Sequence, residues 1–180
     1  MVKNRQNHMG LYGTYFYTET IENFSNLLAD DNIKMIVIDS IKYLVKNALI
    51  NLYGYVIMSN HIHLLWSMLK MNGKETSSGS LSIFTAHEFR KYLIQTDLER
   101  LKTFASTKID RKYQFWKRDP LAIPITSETI FEQKLDYIHN NPLKEKWQLC
   151  HNPNEYRWSS AKFYMDGIDE FNFLKHYRDE

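Results

Sequence analysis

Between Leu49 and Met68 the chain is apolar almost throughout, and the run contains two histidines, His61 and His63, two positions apart. Rich in β-branched and aromatic residues and broken by Ser59-Asn60, it fits a β-hairpin: Leu49–Met58 as one strand, a turn at Ser59-Asn60, and His61–Met68 as the next. Side chains alternate along a strand, so His61 and His63 share one face while Ile62 and Leu64 share the other. Two neighbouring imidazoles on a rigid strand are poor core material. They make half of a divalent-metal site.

Around the hairpin the pattern changes period. Leu11–Thr18 reads as another strand, whereas Ile33, Ile36, Val37, Ile41, Leu44 and Val45 recur at helical spacing behind Asn32 as N-cap. Lys70–Ser80 is polar and rich in glycine and serine, and reads as a mobile loop. Ile83, Phe84, Phe89, Leu93, Leu98 and Leu101 then predict one long helix from Leu81. Pro120 and Pro124 restrict any strand between Tyr113 and Thr126 to a short or edge position. Ser127 caps a further helix with the stripe Ile130, Phe131, Leu135 and Ile138, which Pro142 ends. Beyond Lys144 comes an aromatic cluster at Tyr156, Trp158, Phe163 and Tyr164.

The order β-α-β-β-α-β-α predicts an α+β fold, an antiparallel sheet with helices on one face in a ferredoxin-like layout. Its 180 residues fit a single domain over 1–180, with about 144–180 as a C-terminal extension packed on it.

Composition narrows the classes. A single cysteine, Cys150, excludes an internal disulfide and a thiolate-rich zinc site, and fits a reducing compartment. The polar start Met1–Gly10 lacks a signal peptide's apolar core, and no apolar run approaches the roughly 18 residues of a membrane span. The expectation is a cytoplasmic protein with no membrane partner. A net charge of +2 does not announce a nucleic-acid partner, but local basic clusters do not need a high net charge. Twelve Tyr, ten Phe and four Trp serve chiefly as core, and also suit a protein that stacks on unpaired bases.

A second motif is Tyr137-Ile-His-Asn-Asn-Pro142, at the end of the helix opened by Ser127. Positions i and i+4 share a helical face, so Tyr137 and Asn141 can point the same way, although a residue before proline is biased away from helical geometry. A phenol and a carboxamide facing two imidazoles would supply a nucleophile and a third metal ligand.

With these residues in view, the chain resembles the HUH (His–hydrophobe–His) class of single-tyrosine transposases, in particular the REP-associated branch. The resemblance is carried by Asp39-Ser-Ile-Lys-Tyr43, Tyr55-Val-Ile-Met-Ser-Asn-His-Ile-His-Leu-Leu65, Phe115-Trp-Lys-Arg-Asp119, Tyr137-Ile-His-Asn-Asn-Pro142 and Tyr156-Arg-Trp-Ser-Ser-Ala161, in the family's order over most of the chain. Ser59 stands where the family has a proline before Asn-His. Lys144-Glu-Lys-Trp147 follows Asn-Pro where the family continues with small and apolar residues.

The resemblance implies a ferredoxin-like HUH nuclease that binds Mg²⁺ or Mn²⁺ and transfers single-stranded DNA through a 5′-phosphotyrosine and a free 3′-hydroxyl, the chemistry of DNA transposition and recombination. Its partner would be single-stranded DNA, with a hairpin at the element end, and the protein a monomer or homodimer. Carried onto this chain, His61, His63 and Asn141 become metal ligands and Tyr137 the nucleophile. Because a free phenol titrates near pH ~10, such a nucleophile needs activation. A metal and a rigid helix can neutralise phosphate charge and hold the attack in line.

The DNA-contact candidates are Arg111, Lys112, Lys117, Arg118, Arg157 and Trp158, with the Arg111–Arg118 portion best placed to touch phosphates. His8, His87, His139, His151 and His176 read as surface residues, and His139, at i+2 from Tyr137, points off its face. The alternative reading is a domesticated, non-cleaving hairpin binder that keeps the fold.

Overall fold

In a computed structural model, the hairpin forms as the alternation demands. The residues described are 9–179, so the polar segment 1–8, with His8, lies outside them. β2 (Ile50–Ile57) and β3 (His61–Met68) pair antiparallel, with a register shift between Leu52 and Gly54. β1 (Thr14–Thr20) lies on the other side of β3, and β4 (Leu121–Pro124) pairs with β1. The result is a four-stranded antiparallel sheet in the order β2-β3-β1-β4, the ferredoxin-like arrangement. β1 begins later than its composition suggests because Tyr12, at φ 65°, is left-handed and cannot continue a strand. β4 is short and at the sheet edge, preceded by Pro120 and ending on Pro124.

α1 (Asp31–Lys46) and α2 (Ser77–Thr96) cover the face bearing Tyr17, Glu19, Ile62, Leu64 and Trp66, where the largest fully buried side chains lie. α1 starts one residue before Asn32. Its cap is Asp30, whose carboxylate accepts from the Asn32 backbone N–H at 2.9 Å, so Asn32 is the second helical residue and not the cap.

α2 starts inside the segment expected to be a loop. Thr76 caps it by accepting from Gly79 N at 3.0 Å, and Ser77, Leu81, Thr85, Phe89 and Leu93 form its buried stripe. Serine and threonine hold core positions there, which hides the period from a purely apolar count. The single long helix is broken at Asp97, whose extended backbone (φ −157°) ends α2 and whose carboxylate caps α3 (Leu98–Lys102).

α4 (Glu128–His139) opens on Ser127 as expected, the hydroxyl accepting from Ile130 N at 3.2 Å. It packs on the sheet face opposite α1 and α2, so helices cover both faces rather than one. Gly54 allows its close approach: a Cβ there would stand 2.7 Å from Leu135 Cδ1 and 3.4 Å from Ser160 Oγ. Gly54→Ala should therefore destabilise the fold by about 1–2 kcal/mol through overpacking. Denaturant unfolding should show the effect shrinking in a Leu135→Ala background, where the obstructing methyl is gone.

The chain after α4 closes the β2 edge. Ile57 N donates to Trp158 O, Ser160 N to Tyr55 O and Lys175 N to Leu52 O, each at 2.9 Å, and α5 (Ala161–Asp166) follows. An edge strand so covered cannot template pairing with another chain. No helix among the described residues is long and apolar enough to cross a membrane.

One buried carboxyl makes stability pH-dependent. Glu19 is 2% exposed and accepts from Tyr17 OH at 3.0 Å and Ser82 Oγ at 2.5 Å. Burial outweighs those donors and lifts its pKa from 4.5 to about 7. The folded protein thus keeps a proton that the unfolded chain releases in between. The resulting stability is complete below pH 4.5, is lost as the pH rises through about 7, and is flat beyond. It amounts to about 3 kcal/mol. Urea unfolding across that window should slope in the wild type, and Glu19→Gln should flatten that part of the slope.

Candidate active site

β3 places both imidazoles on the α4 face, and each has a neighbour at its Nδ1. His61 Nδ1 lies 2.7 Å from Asn60 Oδ1, an oxygen that only accepts, so Nδ1 carries the proton and Nε2 offers a lone pair. His63 Nδ1 lies 2.7 Å from Thr18 Oγ1, the residue directly across the strand pair. The hydroxyl can donate or accept, and in the tautomer with the proton on Nδ1 His63 Nε2 also offers a lone pair; that Nε2 is buried and has no hydrogen-bond partner among the described residues. The rings stand 4.6 Å apart at 71°, and Phe16 stacks on His63 at 5.1 Å.

Burial first, then Lys146 and Lys144, pushes the His61 pKa down to about 4. His63 is held well below the usual range by burial, then by His61, Lys144, Lys134 and Lys146. Both rings are therefore neutral near pH 7, the state in which imidazole binds a metal.

α4 brings the other half. Tyr137 is 43% exposed, with its ring 5.4 Å from His63 and 5.9 Å from Phe16. The helix ends at His139, and Asn141–Leu143 continues as a 3₁₀ turn with Pro142 inside it. Asn141 still reaches the site through this tighter turn. It is 2% exposed, with Nδ2 3.5 Å from His61 Nε2. Half a turn of that carboxamide puts Oδ1 in the same place. No third His, Cys, Asp or Glu joins the pair to make a metal-binding group among the described residues. The available donors are two imidazole nitrogens and an amide oxygen, all neutral. An orphaned buried Nε2, a matching lone pair on His61 and an adjacent amide together fit a divalent cation.

The remaining candidates are placed elsewhere. Arg111 pairs with Asp110 at 2.6 Å and Arg118 approaches the same carboxylate at 3.9 Å, while Lys112 leans on Tyr113. Lys117, over the Phe24 ring at 4.2 Å, and Arg118 line a groove with Thr18 and Thr20, next to the Thr18–His63 contact. Arg157 is bound to Glu170 at 2.6 Å and lies over Trp158. Trp158 itself is 4% exposed and stacks on Phe171, so its ring is closed to a base.

His139 is not a surface residue. It is 8% exposed and bonds Ser160 Oγ at 2.9 Å, and burial lowers its pKa to about 4. It does point away from Tyr137, toward Tyr164. Thr18, Phe16, Lys134 and Asn60 are site neighbours that the motifs alone do not single out. For Thr18, the only signal is strand register.

No protein-family model matches the chain, and no match among curated proteins is found. Among solved structures, the chain is similar to the REP-associated tyrosine transposase bound to a REP hairpin, at TM-score 0.62 and 16% identity, over 100% of this chain and 95% of that one. It is also similar to a provisionally named transposase from Deinococcus radiodurans, at TM-score 0.45 and 19% identity over 78% and 97% of the two chains, a likeness too low to add to the argument. The four-stranded sheet with α4 across its histidine face therefore has the fold of a REP-associated tyrosine transposase.

Proposed function

We propose that the protein cuts and rejoins single-stranded DNA with Tyr137 as the nucleophile, the chemistry of a tyrosine transposase. One observation carries this reading: Tyr137 and Asn141 arrive from α4 and its terminal turn against His63 and His61, with Asn141 and His61 80 residues apart in sequence. A core has no use for that convergence, since it leaves His63 Nε2 buried and unpaired.

In the proposed step the phenol oxygen forms a bond to phosphorus and the bond from phosphorus to the 3′ oxygen breaks. The phenol loses a proton and the departing 3′ oxygen gains one. A phosphodiester replaces a phosphodiester, so a 3′-hydroxyl can reverse the step and join a different strand. His61, His63 and Asn141 would hold Mg²⁺ or Mn²⁺, which when bound neutralises charge on the non-bridging oxygens. Thr18 and Asn60 hold the two imidazoles, and Leu135 and Ile138, on the buried face of α4, fix the helix that presents Tyr137. The four groups converge within the one chain, which supports a site that works in cis. A DNA hairpin is the proposed partner, supported by the hairpin on the structure of similar fold.

The test is a labelled DNA hairpin of the REP type with single-stranded flanks, incubated with Mg²⁺ or Mn²⁺. The expected result is a detergent-resistant protein–DNA adduct that mass spectrometry maps to Tyr137. Its formation should stop when the metal is chelated. Hairpin binding with no adduct at any metal concentration would leave the non-cleaving reading.

A further inference from the structure

Three lysines surround the imidazoles and the tyrosine. Lys144 Nζ stands 3.7 Å from the centre of the Tyr137 ring. Lys134 Nζ lies 4.8 Å from the centre of Phe16, the ring stacked on His63. Lys146 Nζ lies 5.0 Å from Trp147, whose ring is 5.9 Å from His61. Lys134 and Lys144 are half-buried and Lys146 is exposed, and none of the three is ion-paired among the described residues. Two of them come from Lys144-Glu-Lys-Trp147, the segment directly after the 3₁₀ turn that carries Asn141.

A divalent cation entering this site meets three neutral donors and three unneutralised positive charges. The lysines repel it, and nothing in the donor set offsets that repulsion. A phosphate diester reverses the balance, because it attracts the lysines and the cation together. We propose that Lys134, Lys144 and Lys146 form a seat for a nucleic-acid phosphate over Tyr137, and that this phosphate recruits the divalent cation, so that metal and DNA bind cooperatively. This rests on the metal site proposed above and adds an order to its assembly: little metal without DNA, and both together. Coupling between two ligands is reciprocal, so metal should raise DNA affinity by the same factor.

The experiment titrates the full chain with Mn²⁺, reading the free ion by electron paramagnetic resonance, with and without a short single-stranded DNA of random sequence. DNA affinity is read separately by fluorescence anisotropy in chelator. For the wild type, DNA should raise Mn²⁺ affinity about tenfold or more. Combining Lys134→Gln, Lys144→Gln and Lys146→Gln should move the two affinities in opposite directions: Mn²⁺ alone binds several-fold more tightly, and DNA in chelator binds about tenfold more weakly. Lost packing or partial unfolding would weaken both, and the single variants, each expected to show the same signs at smaller size, guard against that outcome. The proposal is overturned if the combined variant binds Mn²⁺ alone no better than the wild type, or if DNA leaves wild-type Mn²⁺ affinity unchanged. Cooperative binding in a protein that never forms an adduct would sink the cleavage reading and leave the lysine seat standing. Absence of Mn²⁺ binding under every condition removes both.

Discussion

Tyr137→Phe is expected to abolish the covalent protein–DNA adduct and to reduce strand cleavage by at least about 10³-fold, equivalent to about 4 kcal/mol of transition-state stabilisation. The substitution removes one oxygen and little else. The Tyr137 ring meets His63 and Phe16 edge-on and carries Lys144 on its face, and a phenyl ring keeps all three contacts. Its hydroxyl has no protein partner among the described residues, so no buried group is orphaned by the change. Thermal unfolding should move by less than about 0.5 kcal/mol in free energy, and hairpin affinity by less than about threefold. That separation makes the variant informative: loss of cleavage with stability and binding intact can only mean loss of the attacking atom. An adduct that persists in Tyr137→Phe would transfer the nucleophile's role to another residue.

How much of this was legible in the sequence follows from the range of each interaction. Alternation along one strand is local, and it placed His61 and His63 on a common face. The cap at Ser127 and the stripe behind it are local too, and they placed Tyr137 at the far end of α4. Proline before position 143 argued against a regular helical Asn141, and the chain answers with a 3₁₀ turn that keeps the carboxamide at His61.

What the sequence hid is non-local or polar. Thr18 meets His63 only because β1 and β3 pair in one register, and a shift of one residue would turn the threonine to the other face. Ser77 and Thr85 occupy core positions in α2, so a search for apolar period starts the helix too late. His139 is buried because Ser160, far along the chain, supplies its hydrogen bond. The lysine ring is invisible as a motif, since Lys134 comes from α4 and the other two from the segment after it. Only the packing of α4 and its terminal turn against the sheet brings their charges onto one site.

Replacing His63 by leucine is expected to separate stability from function with opposite signs. His63 is 5% exposed, and its Nε2 is buried without a partner. An unsatisfied buried polar atom costs the folded state about 1–3 kcal/mol. Leucine removes that atom and keeps apolar contact with Phe16, while Thr18, only half-buried, recovers its hydrogen bond from water. In metal-free buffer the His63→Leu protein should therefore unfold at a temperature equal to or above the wild type's. Its Mn²⁺-dependent cleavage should fall by about 10³-fold, because a site left with one imidazole and one amide can neither retain the cation nor aim it. Thr18→Val gives the intermediate case: His63 stays but loses the hydrogen-bond partner that orients its ring, and metal affinity should drop by about 10–100-fold. A packing histidine predicts no effect on cleavage from either change. A fall in melting temperature of several degrees for His63→Leu, with cleavage intact, would return His63 to the core and leave Tyr137 without a metal beside it.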